Sequence, residues 1–279
     1  MEKYYILSNG VKIPSIGFGT WRVPESEQCV EACITAINAG YRHIDTASFY
    51  KNEKSVGEAV ALSSVPRNEL FITSKLWNDV GDFDGALKAF EQSLNELKTD
   101  YLDLCLIHWP NPKAYREGHA KRNAEVWRAL EYLYRLGKVK AIGVSNFMPH
   151  HIDELLKTAE ICPMVNQIEI QPGLNREEIV KYNTEHGILT EAWAPFRIGE
   201  ALSDSTICAL AEKYNKTPAQ ITLRWFLQKG ILPLPKSVTK SRIESNIEVY
   251  DFTLSDKDVK LIDGITPHEA RHNPDTIDF

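Results

Sequence analysis

Short apolar runs and helical patterns alternate along this chain from residue 16 almost to its end. Eight of the runs have the length and composition of buried strands, and they read IGFGT, YRHID, LFITSK, YLDLCLIHW, VKAIGVSN, MVNQIEI, GILTEAWAPF and GILPLPKS. Between them, apolar residues recur every three or four positions, as in the series Leu87, Phe90, Leu94 and Leu97 and the series Val126, Leu130, Leu133 and Leu136. Strands that alternate with helices pair in parallel, so the alternation predicts an α/β fold.

The number of units selects the architecture. Eight strand and helix units within 279 residues fit a (β/α)8 TIM barrel. A doubly wound sheet more often has about six strands and an early glycine fingerprint, and GFGTWR lacks the third glycine of that fingerprint. Ahead of the barrel, YYILSNGVKIPSIGFG contains Asn9-Gly10, a pair typical of hairpin turns with positive φ at both residues. We expect one domain over residues 1–279, a barrel with an N-terminal β-hairpin, because no linker divides the chain.

Charge and composition argue against several classes of function. The net charge is −6 and the basic residues are scattered, so no nucleic-acid surface is predicted. The sequence has no signal-peptide pattern and no run of 18 apolar residues, so we expect a cytoplasmic protein without a membrane segment. Five cysteines without CxxC spacing predict neither a disulfide framework nor a zinc site, and Cys29 and Cys33 fit one buried helix face. Nothing in the sequence demands a partner chain, and we expect a monomer.

Polar residues at the ends of the predicted strands indicate where the chemistry lies. In a barrel of this kind, the carboxyl ends of the strands form the active-site face. The polar residues at or near these ends are Asp45, Lys75, His108, Ser145, Asn146, Gln167, Lys236 and Ser237. A single ionisable residue at a strand end means little, but a ring of them predicts a site.

Four residues near the second, third and fourth strand ends are predicted to be catalytic, namely Asp45, Tyr50, Lys75 and His108. A phenol keeps its proton at neutral pH, so Tyr50 is the predicted general acid. Lys75, kept charged by Asp45, is expected to favour the phenolate and so to lower the pKa of Tyr50. His108 is expected to hydrogen-bond the substrate oxygen.

The other polar residues suit a nicotinamide cofactor, which would supply the hydride that a carbonyl group needs. Groups that can bond its carboxamide or stack on its ring are Ser145, Asn146, Gln167 and Trp193. Groups that could hold an adenosine phosphate are Lys236, Ser237 and Arg242. A guanidinium matches a 2′-phosphate well, which favours NADPH over NADH.

Seven motifs carry a family resemblance, and they read GFGTW at 17–21, GYRHIDTASFYKNEKSVGEAV at 40–60, ITSKLW at 72–77, DLCLIHWP at 103–110, IGVSNF at 142–147, VNQIEIQP at 165–172 and PLPKSVTKSRIESN at 233–246. Together they closely resemble the aldo-keto reductase family, NADPH-using carbonyl reductases on a (β/α)8 barrel, and in particular its bacterial 2,5-diketo-gluconate reductase-like members. The resemblance covers nearly the whole chain and implies the same roles for the four catalytic residues.

The resemblance also implies two sets of binding residues. Cofactor contacts are implied for Thr20, Asp45, Ser145, Asn146, Gln167, Trp193, Ala194, Pro195, Phe196, Lys236, Ser237, Val238, Arg242 and Asn246. Positions that line the substrate pocket in the family correspond to Trp21, Trp77 and Trp109.

Three features depart from the family pattern. Ser245 stands where many members have an acidic residue, which puts the grip on the adenine ribose in doubt. Arg197 stands in a loop on the cofactor side where a smaller residue is common, and it either contacts a phosphate or lies in solvent. The segments 111–124 and 266–279, whose counterparts set substrate choice in the family, are short and predict a shallow, open pocket.

The predicted function is NADPH-dependent reduction of a small-molecule aldehyde or ketone to an alcohol. The hydride comes from the nicotinamide and the proton from Tyr50. One alternative is a regulatory protein that binds the cofactor with little turnover. Another is a barrel metal hydrolase, because His43 and Asp45 alternate along a strand and point to one face. The further ligands of such a site do not occur at later strand ends, so no metal is expected.

Overall fold

The computed structural model describes residues 3–279 and confirms the predicted (β/α)8 barrel. Its strands are β1 (Tyr4–Ile6), β2 (Lys12–Pro14), β3 (Phe18–Gly19), β4 (His43–Asp45), β5 (Phe71–Leu76), β6 (Leu102–Ile107), β7 (Val139–Ser145), β8 (Val165–Glu169), β9 (Leu189–Trp193) and β10 (Leu232–Pro233). Strands β3 to β10 lie side by side in chain order and pair in parallel. Gly17 N donates to Pro233 O (3.1 Å) and Gly19 N to Pro235 O (3.0 Å), so backbone hydrogen bonds join the first barrel strand to the last.

Helices follow the barrel strands and cover the sheet. Within residues 3–279 the α-helices are α1 (Glu27–Ala39), α2 (Glu53–Leu62), α3 (Phe83–Leu97), α4 (His119–Arg135), α5 (Pro149–Leu156), α6 (Glu177–Glu185), α7 (Ser205–Tyr214), α8 (Pro218–Gln228), α9 (Lys240–Ile247) and α10 (Asp256–Asp263). Short 3-10 helices span Ser48–Tyr50, Arg67–Glu69, Lys113–Gly118 and Arg197–Ser203. Helix α9 packs between α1 and α8, while α7 packs against α8 and α10.

Local sequence accounts for the ends of the predicted helices. Asp82 caps α3 by accepting a hydrogen bond from Gly85 N (2.8 Å), which satisfies one of the free N–H groups of the first turn. The second apolar series runs along α4, but Leu136 lies just beyond the helix and is 56% exposed. The helix ends there because Gly137 adopts the left-handed conformation (φ +71°).

The predicted hairpin forms, but its turn differs from the expected one. Strands β1 and β2 pair antiparallel, and Gly10 N donates to Leu7 O (2.8 Å) across the turn. Gly10 has positive φ (+87°) but Asn9 does not, so the turn uses the positive φ that this pair tolerates at only one of its two residues. The Asn9 amide instead accepts from Val11 N (3.1 Å) and donates to Lys140 O (2.9 Å). These bonds tie the hairpin to the amino end of β7.

Apolar burial holds the strands in place on both faces. Every residue of β5 and of β6 is buried, since one face meets the barrel interior and the other meets the helices. Cys29 and Cys33 are buried on α1, as expected from their spacing. No helix within residues 3–279 combines the length and apolar character needed to cross a membrane.

Candidate active site

The four predicted catalytic side chains meet at the carboxyl ends of β4, β5 and β6. Lys75 Nζ donates to Asp45 Oδ1 (2.7 Å), to Thr46 O (2.8 Å) and to Tyr50 OH (3.3 Å). The Tyr50 ring lies 5.8 Å from the His108 ring, nearly perpendicular to it. Asp45, Tyr50 and His108 line one large cavity, and Lys75 is buried below Tyr50.

Burial and charge set the protonation states of this group. Burial lowers the pKa of Lys75, but Asp45 and Tyr50 together raise that pKa by more, so the ammonium stays charged. Burial raises the pKa of Tyr50, and this outweighs the lowering by Lys75, so the expected lowering of this pKa is wrong for the free protein. Burial and Lys75 hold the pKa of His108 well below its ordinary value. At neutral pH the site therefore holds a phenol, an ammonium and a neutral imidazole.

Gln167 connects Asp45 to Glu191, a residue that no pattern in the sequence indicated as part of the site. Its Nε2 donates to Asp45 Oδ2 (2.9 Å) and to Glu191 Oε2 (2.8 Å). An amide nitrogen has two hydrogens, so only the carbonyl oxygen of Gln167 is left for a ligand. Glu191 lies within the run GILTEAWAPF. The only sign of a special role was that an acidic residue stands in the middle of a predicted buried strand.

The cavity has a volume of about 750 Å³ and brings together most of the predicted cofactor residues. Those that line it are Asp45, Ser145, Asn146, Gln167, Trp193, Ala194, Pro195, Phe196, Lys236, Ser237, Arg242 and Asn246. Two predicted cofactor residues do not line it. Thr20 is buried and donates through Oγ1 to Asp45 O (2.9 Å), and Val238 is exposed just after Ser237.

Hydrogen bonds hold the polar wall of the cavity in a fixed arrangement. Asn146 has positive φ (+64°), and its Nδ2 donates to His108 O (3.0 Å) and to Ser145 Oγ (3.1 Å). Trp193 Nε1 donates to Asn146 Oδ1 (2.9 Å). Since the protein itself fixes these groups, little ordering remains to be done when a ligand binds.

The far end of the cavity fits a phosphate. Lys236 and Arg242 are exposed at its edge, and in the described part of the chain neither has an ion-pair partner. Arg242 lies in the first turn of α9, where free backbone N–H groups favour an anion. Ser245 also lines the cavity, and its Oγ donates to Arg242 O (3.3 Å). The donors present therefore suit an NADPH phosphate.

Arg197 does not reach this end of the cavity. Its Nε pairs with Glu200 Oε2 (3.1 Å) on the surface, so the structure gives no support to a phosphate contact. Residues 197–199 have positive φ in succession (+49°, +56° and +99°), and this turn brings Ile198 and Gly199 to the cavity wall. Further lining residues that the sequence did not indicate are Arg22, Phe49, Leu202, Thr217, Pro218, Ala219, Leu234, Arg271, His272 and Phe279.

The three tryptophans predicted to line the substrate pocket lie on one mainly aromatic part of the cavity wall. Trp21, Trp77 and Trp109 all line the cavity. Phe49 stacks on Trp77 with ring centroids 3.6 Å apart, and the Trp77 ring lies edge-on to His108 at 4.9 Å. The carbonyl end of a substrate would therefore lie against aromatic rings next to the catalytic group.

The segment after α10 closes part of the cavity mouth, so the expected shallow, open pocket is wrong. The Phe279 ring stacks parallel to Trp77 at 5.8 Å and meets Trp109 edge-on at 5.4 Å. Segment 111–124 holds it there: Asn111 Nδ2 donates to Asp275 O (3.0 Å), and Lys113 N donates to Phe279 O (3.2 Å). Segments that are short in sequence can still cover the mouth because they bond to each other.

Replacing Phe279 by Ala tests this wall. We expect KM for a small aldehyde to rise about fivefold to tenfold, because a lost aromatic contact is worth about 1 kcal/mol or slightly more. The value of kcat should change less, since Phe279 does not touch Tyr50. Steady-state kinetics on Phe279→Ala and on the control Leu261→Ala, an exposed apolar residue of α10, would show it. An unchanged KM would contradict a role for the tail in the pocket.

The contacts of His43 and Asp45 disfavour the metal hydrolase. Both oxygens of Asp45 accept hydrogen bonds, one from Lys75 and the other from Gln167. His43 Nε2 is paired with Thr73 Oγ1 (2.9 Å). His43 Nδ1 has no hydrogen-bond partner in the described residues, but Asp45 offers no unengaged oxygen to share a metal with it.

One other group has the spacing of metal ligands within residues 3–279, namely His150, His151 and Asp275. Met148 N donates to His151 Nδ1 (3.1 Å), so the neutral imidazole carries its proton on Nε2. That Nε2 lies 2.9 Å from Asp275 Oδ1, and His150 Nε2 lies 2.8 Å from the same oxygen. The group is accounted for by hydrogen bonds that fasten the tail to α5.

A barrel with a half-buried phenol beside a buried ammonium at one end of a deep cleft and unpaired cations at the other has the form of a nicotinamide-dependent oxidoreductase. Comparisons with known proteins agree with this class. Residues 15–267 match the model of the Aldo/keto reductase family. Glyoxal reductase of Bacillus subtilis (strain 168) is 47% identical over 274 residues, which cover 98% of this chain and 96% of that protein.

Two further comparisons point the same way. Methylglyoxal reductase DkgA of Yersinia pestis is 43% identical over 266 residues, covering 94% of this chain and 92% of that protein. The crystal structure of a Gox0644 mutant in complex with NADPH has a TM-score of 0.92 at 36% identity and matches 100% of both chains. The chain belongs to the aldo/keto reductase family, and the predicted family is confirmed.

Proposed function

We propose that this protein reduces a small dicarbonyl compound of the glyoxal or methylglyoxal type with NADPH. NADPH-dependent carbonyl reduction is the activity of its class, and relatives named for glyoxal and methylglyoxal support the substrate type. The observation that carries the proposal is the contact of Lys75 Nζ with both Asp45 and Tyr50 at the cavity floor. A phenol held beside a buried ammonium is a proton donor whose conjugate base is stabilised in place.

Each of the four candidate catalytic residues has a separate role in the proposed reaction. When bound, NADPH supplies the hydride to the carbonyl carbon. The predicted cofactor residues that line the cavity, the first after Asp45 being Ser145 and the last Asn246, would hold the NADPH. The Tyr50 hydroxyl gives its proton to the carbonyl oxygen, which yields the alcohol. Lys75 stabilises the phenolate left on Tyr50, and Asp45 keeps Lys75 charged. The neutral His108 orients the carbonyl oxygen, and the aromatic wall keeps water away.

NADPH absorbance loss with the purified protein tests the proposal directly. The panel should contain glyoxal, methylglyoxal, a sugar-derived ketone and an aromatic aldehyde, each tried with NADPH and NADH. We expect the highest kcat/KM for the dicarbonyls. A higher value for the aromatic aldehyde would contradict the substrate proposal. Tight NADPH binding without any turnover would favour the regulatory alternative.

Arg242→Gln tests the phosphate site. We expect Kd for NADPH to rise roughly tenfold to a hundredfold, since a charged hydrogen bond is worth about 1.5–3 kcal/mol, while Kd for NADH changes little. Cofactor fluorescence titration measures both constants. The matched control is Lys240→Gln, which removes one positive charge from the same helix but from a residue paired with Glu244. An equal loss of affinity for NADPH and NADH would show that Arg242 does not bind the phosphate.

We further propose that residues 1–279 act as one domain, as a monomer, in the cytoplasm. The barrel strands extend from Phe18 to Pro233 within a single sheet, which supports one domain. Size-exclusion chromatography with light scattering would test the monomer, and a dimer mass would refute it.

A further inference from the structure

Glu191 is a fully buried carboxyl group that the reaction described above does not use. It lies in β9, in register with Gln167 of β8, and its exposed fraction is 0%. Its Oε2 accepts from Gln167 Nε2 (2.8 Å), whereas its Oε1 has no hydrogen-bond partner in the described residues. Gln167 therefore stands between two carboxyl groups, Asp45 on one side and Glu191 on the other.

These two carboxyl groups have different electrostatic surroundings. Asp45 is paired with Lys75 (2.7 Å), while Glu191 has no cation within salt-bridge distance in the described residues. The ionisable groups that act on Glu191 are Asp45 from β4 and Lys75 from β5, and β10 places the apolar Leu232 in register beside it. An unpaired charge buried among such groups is costly, and protonation removes that cost.

The ionisation of Glu191 follows from this position. Burial raises its pKa to about 8, with a further rise from the charge of Asp45, against smaller opposite effects of Gln167 and Lys75. At pH 7 the group is therefore mainly a neutral carboxylic acid. The catalytic group then contains only one buried carboxylate, that of Asp45, opposite the one ammonium of Lys75.

We propose that Glu191 is a positioning residue, a neutral acid that fixes the Gln167 amide between itself and Asp45. With both N–H groups held, Gln167 keeps Asp45 directed at Lys75 and turns its carbonyl oxygen to the ligand. The second part of this proposal rests on the proposed function, because the ligand is NADPH. The first part concerns the free protein alone.

Two substitutions separate the hydrogen bond from the charge. Glu191→Gln keeps an acceptor oxygen for Gln167 and is neutral at every pH. Glu191→Leu has a similar volume but no acceptor, so the Gln167 amide loses one of its two anchors. We expect Glu191→Leu to raise Kd for NADPH about fivefold to tenfold and to lower kcat by a similar factor, since one hydrogen bond is lost. Glu191→Gln should restore both values to within about threefold of the parent protein at pH 7.

Infrared spectroscopy of the free protein tests the protonation state without cofactor or substrate. We expect the parent protein to show the C=O band of a protonated, buried carboxylic acid at pH 6. The band should disappear above about pH 9, and Glu191→Gln should lack it at all pH values. Absence of this band at pH 6 would overturn the neutral acid.

Thermal stability gives a second readout with a definite sign. The pKa of Glu191 in the folded protein is raised, so the folded state binds more protons than the unfolded state between about pH 4.5 and pH 8. The fold therefore loses stability progressively as pH rises through this window, because the carboxyl group ionises in the unfolded chain while the folded protein still holds its proton. We expect the difference between the Tm of Glu191→Gln and the Tm of the parent protein to increase in favour of the variant from pH 5 to pH 9. A constant difference in Tm would contradict the proposal.

NADPH binding by the two Glu191 variants also tests the proposal. Circular dichroism must first show that Glu191→Leu is folded at the assay temperature. If this variant binds NADPH as tightly as the parent protein, the positioning role is wrong. If Glu191→Gln loses as much affinity as Glu191→Leu, the ionised carboxylate is needed and the neutral acid is wrong. Failure of the proposed function would appear differently, as no turnover by the parent protein with the Kd and infrared results unchanged.

Discussion

Tyr50→Phe is expected to lose carbonyl reduction by roughly 100-fold to 10,000-fold, the range found when a general acid is removed. The phenyl ring keeps the packing against His108, but the oxygen that donates the proton is gone. Lys75 loses one acceptor at 3.3 Å and keeps Asp45 and Thr46, so the site should retain its shape. Single-turnover rates with saturating NADPH would measure the loss in the chemical step.

Two controls make this result specific. NADPH binding, followed by fluorescence titration, should stay within about twofold of the parent value, because the phenol is not needed to hold the cofactor. Tyr132→Phe removes a hydroxyl from a half-exposed tyrosine on α4 and should leave the rate unchanged. A Tyr50→Phe variant that kept a tenth or more of the rate would show that another group supplies the proton.

Lys75→Met is expected to lower the free energy of unfolding by about 3–5 kcal/mol, the cost of leaving one member of a buried ion pair without its partner. The side chains of Lys75 and Asp45 are 0% and 5% exposed, so solvent cannot replace the lost cation. The variant should also lose nearly all activity, because the phenolate on Tyr50 would have no ammonium beside it. Urea unfolding and the reductase assay measure the two effects separately.

The double variant Asp45→Asn/Lys75→Met distinguishes the structural effect from the catalytic one. Removing both charges should recover most of the lost stability, since no unpaired buried charge remains, while activity stays absent. Lys157→Met is the surface comparison, because Lys157 pairs with Glu154 in solvent and its loss should cost less than about 1 kcal/mol. A double variant as unstable as Lys75→Met would mean that packing of the lysine chain, not its charge, stabilises the site.

The strands, and the meeting of the four candidate catalytic residues at one face, could be predicted from the sequence because both leave local signals. A strand buried on two faces is a short apolar run, and each of the eight runs overlaps a barrel strand. Polar residues at the ends of such runs, among them Asp45 and Lys75, are brought to one face by the parallel arrangement alone. Tyr50, in the 3-10 helix after β4, was assigned its role from the chemistry of a phenol, and the family motifs imply the same role.

Three features of the site depend on tertiary structure and leave no local signal in the sequence: the surroundings of Glu191, the pKa of Tyr50 and the position of Phe279. Glu191 looked like one acidic residue in a strand until β8 placed Gln167 beside it and barrel closure buried it. The direction of the Tyr50 pKa shift depends on how fully the ring is buried, which the sequence does not state. Phe279 reaches Trp77 across about 200 residues of chain, held by hydrogen bonds between two segments without periodicity. The sequence by itself determined the barrel, its active-site face and the reaction class, because periodicity and strand ends are local. Only the folded chain decided the protonation states and the shape of the pocket, because these depend on burial and on contacts between distant segments.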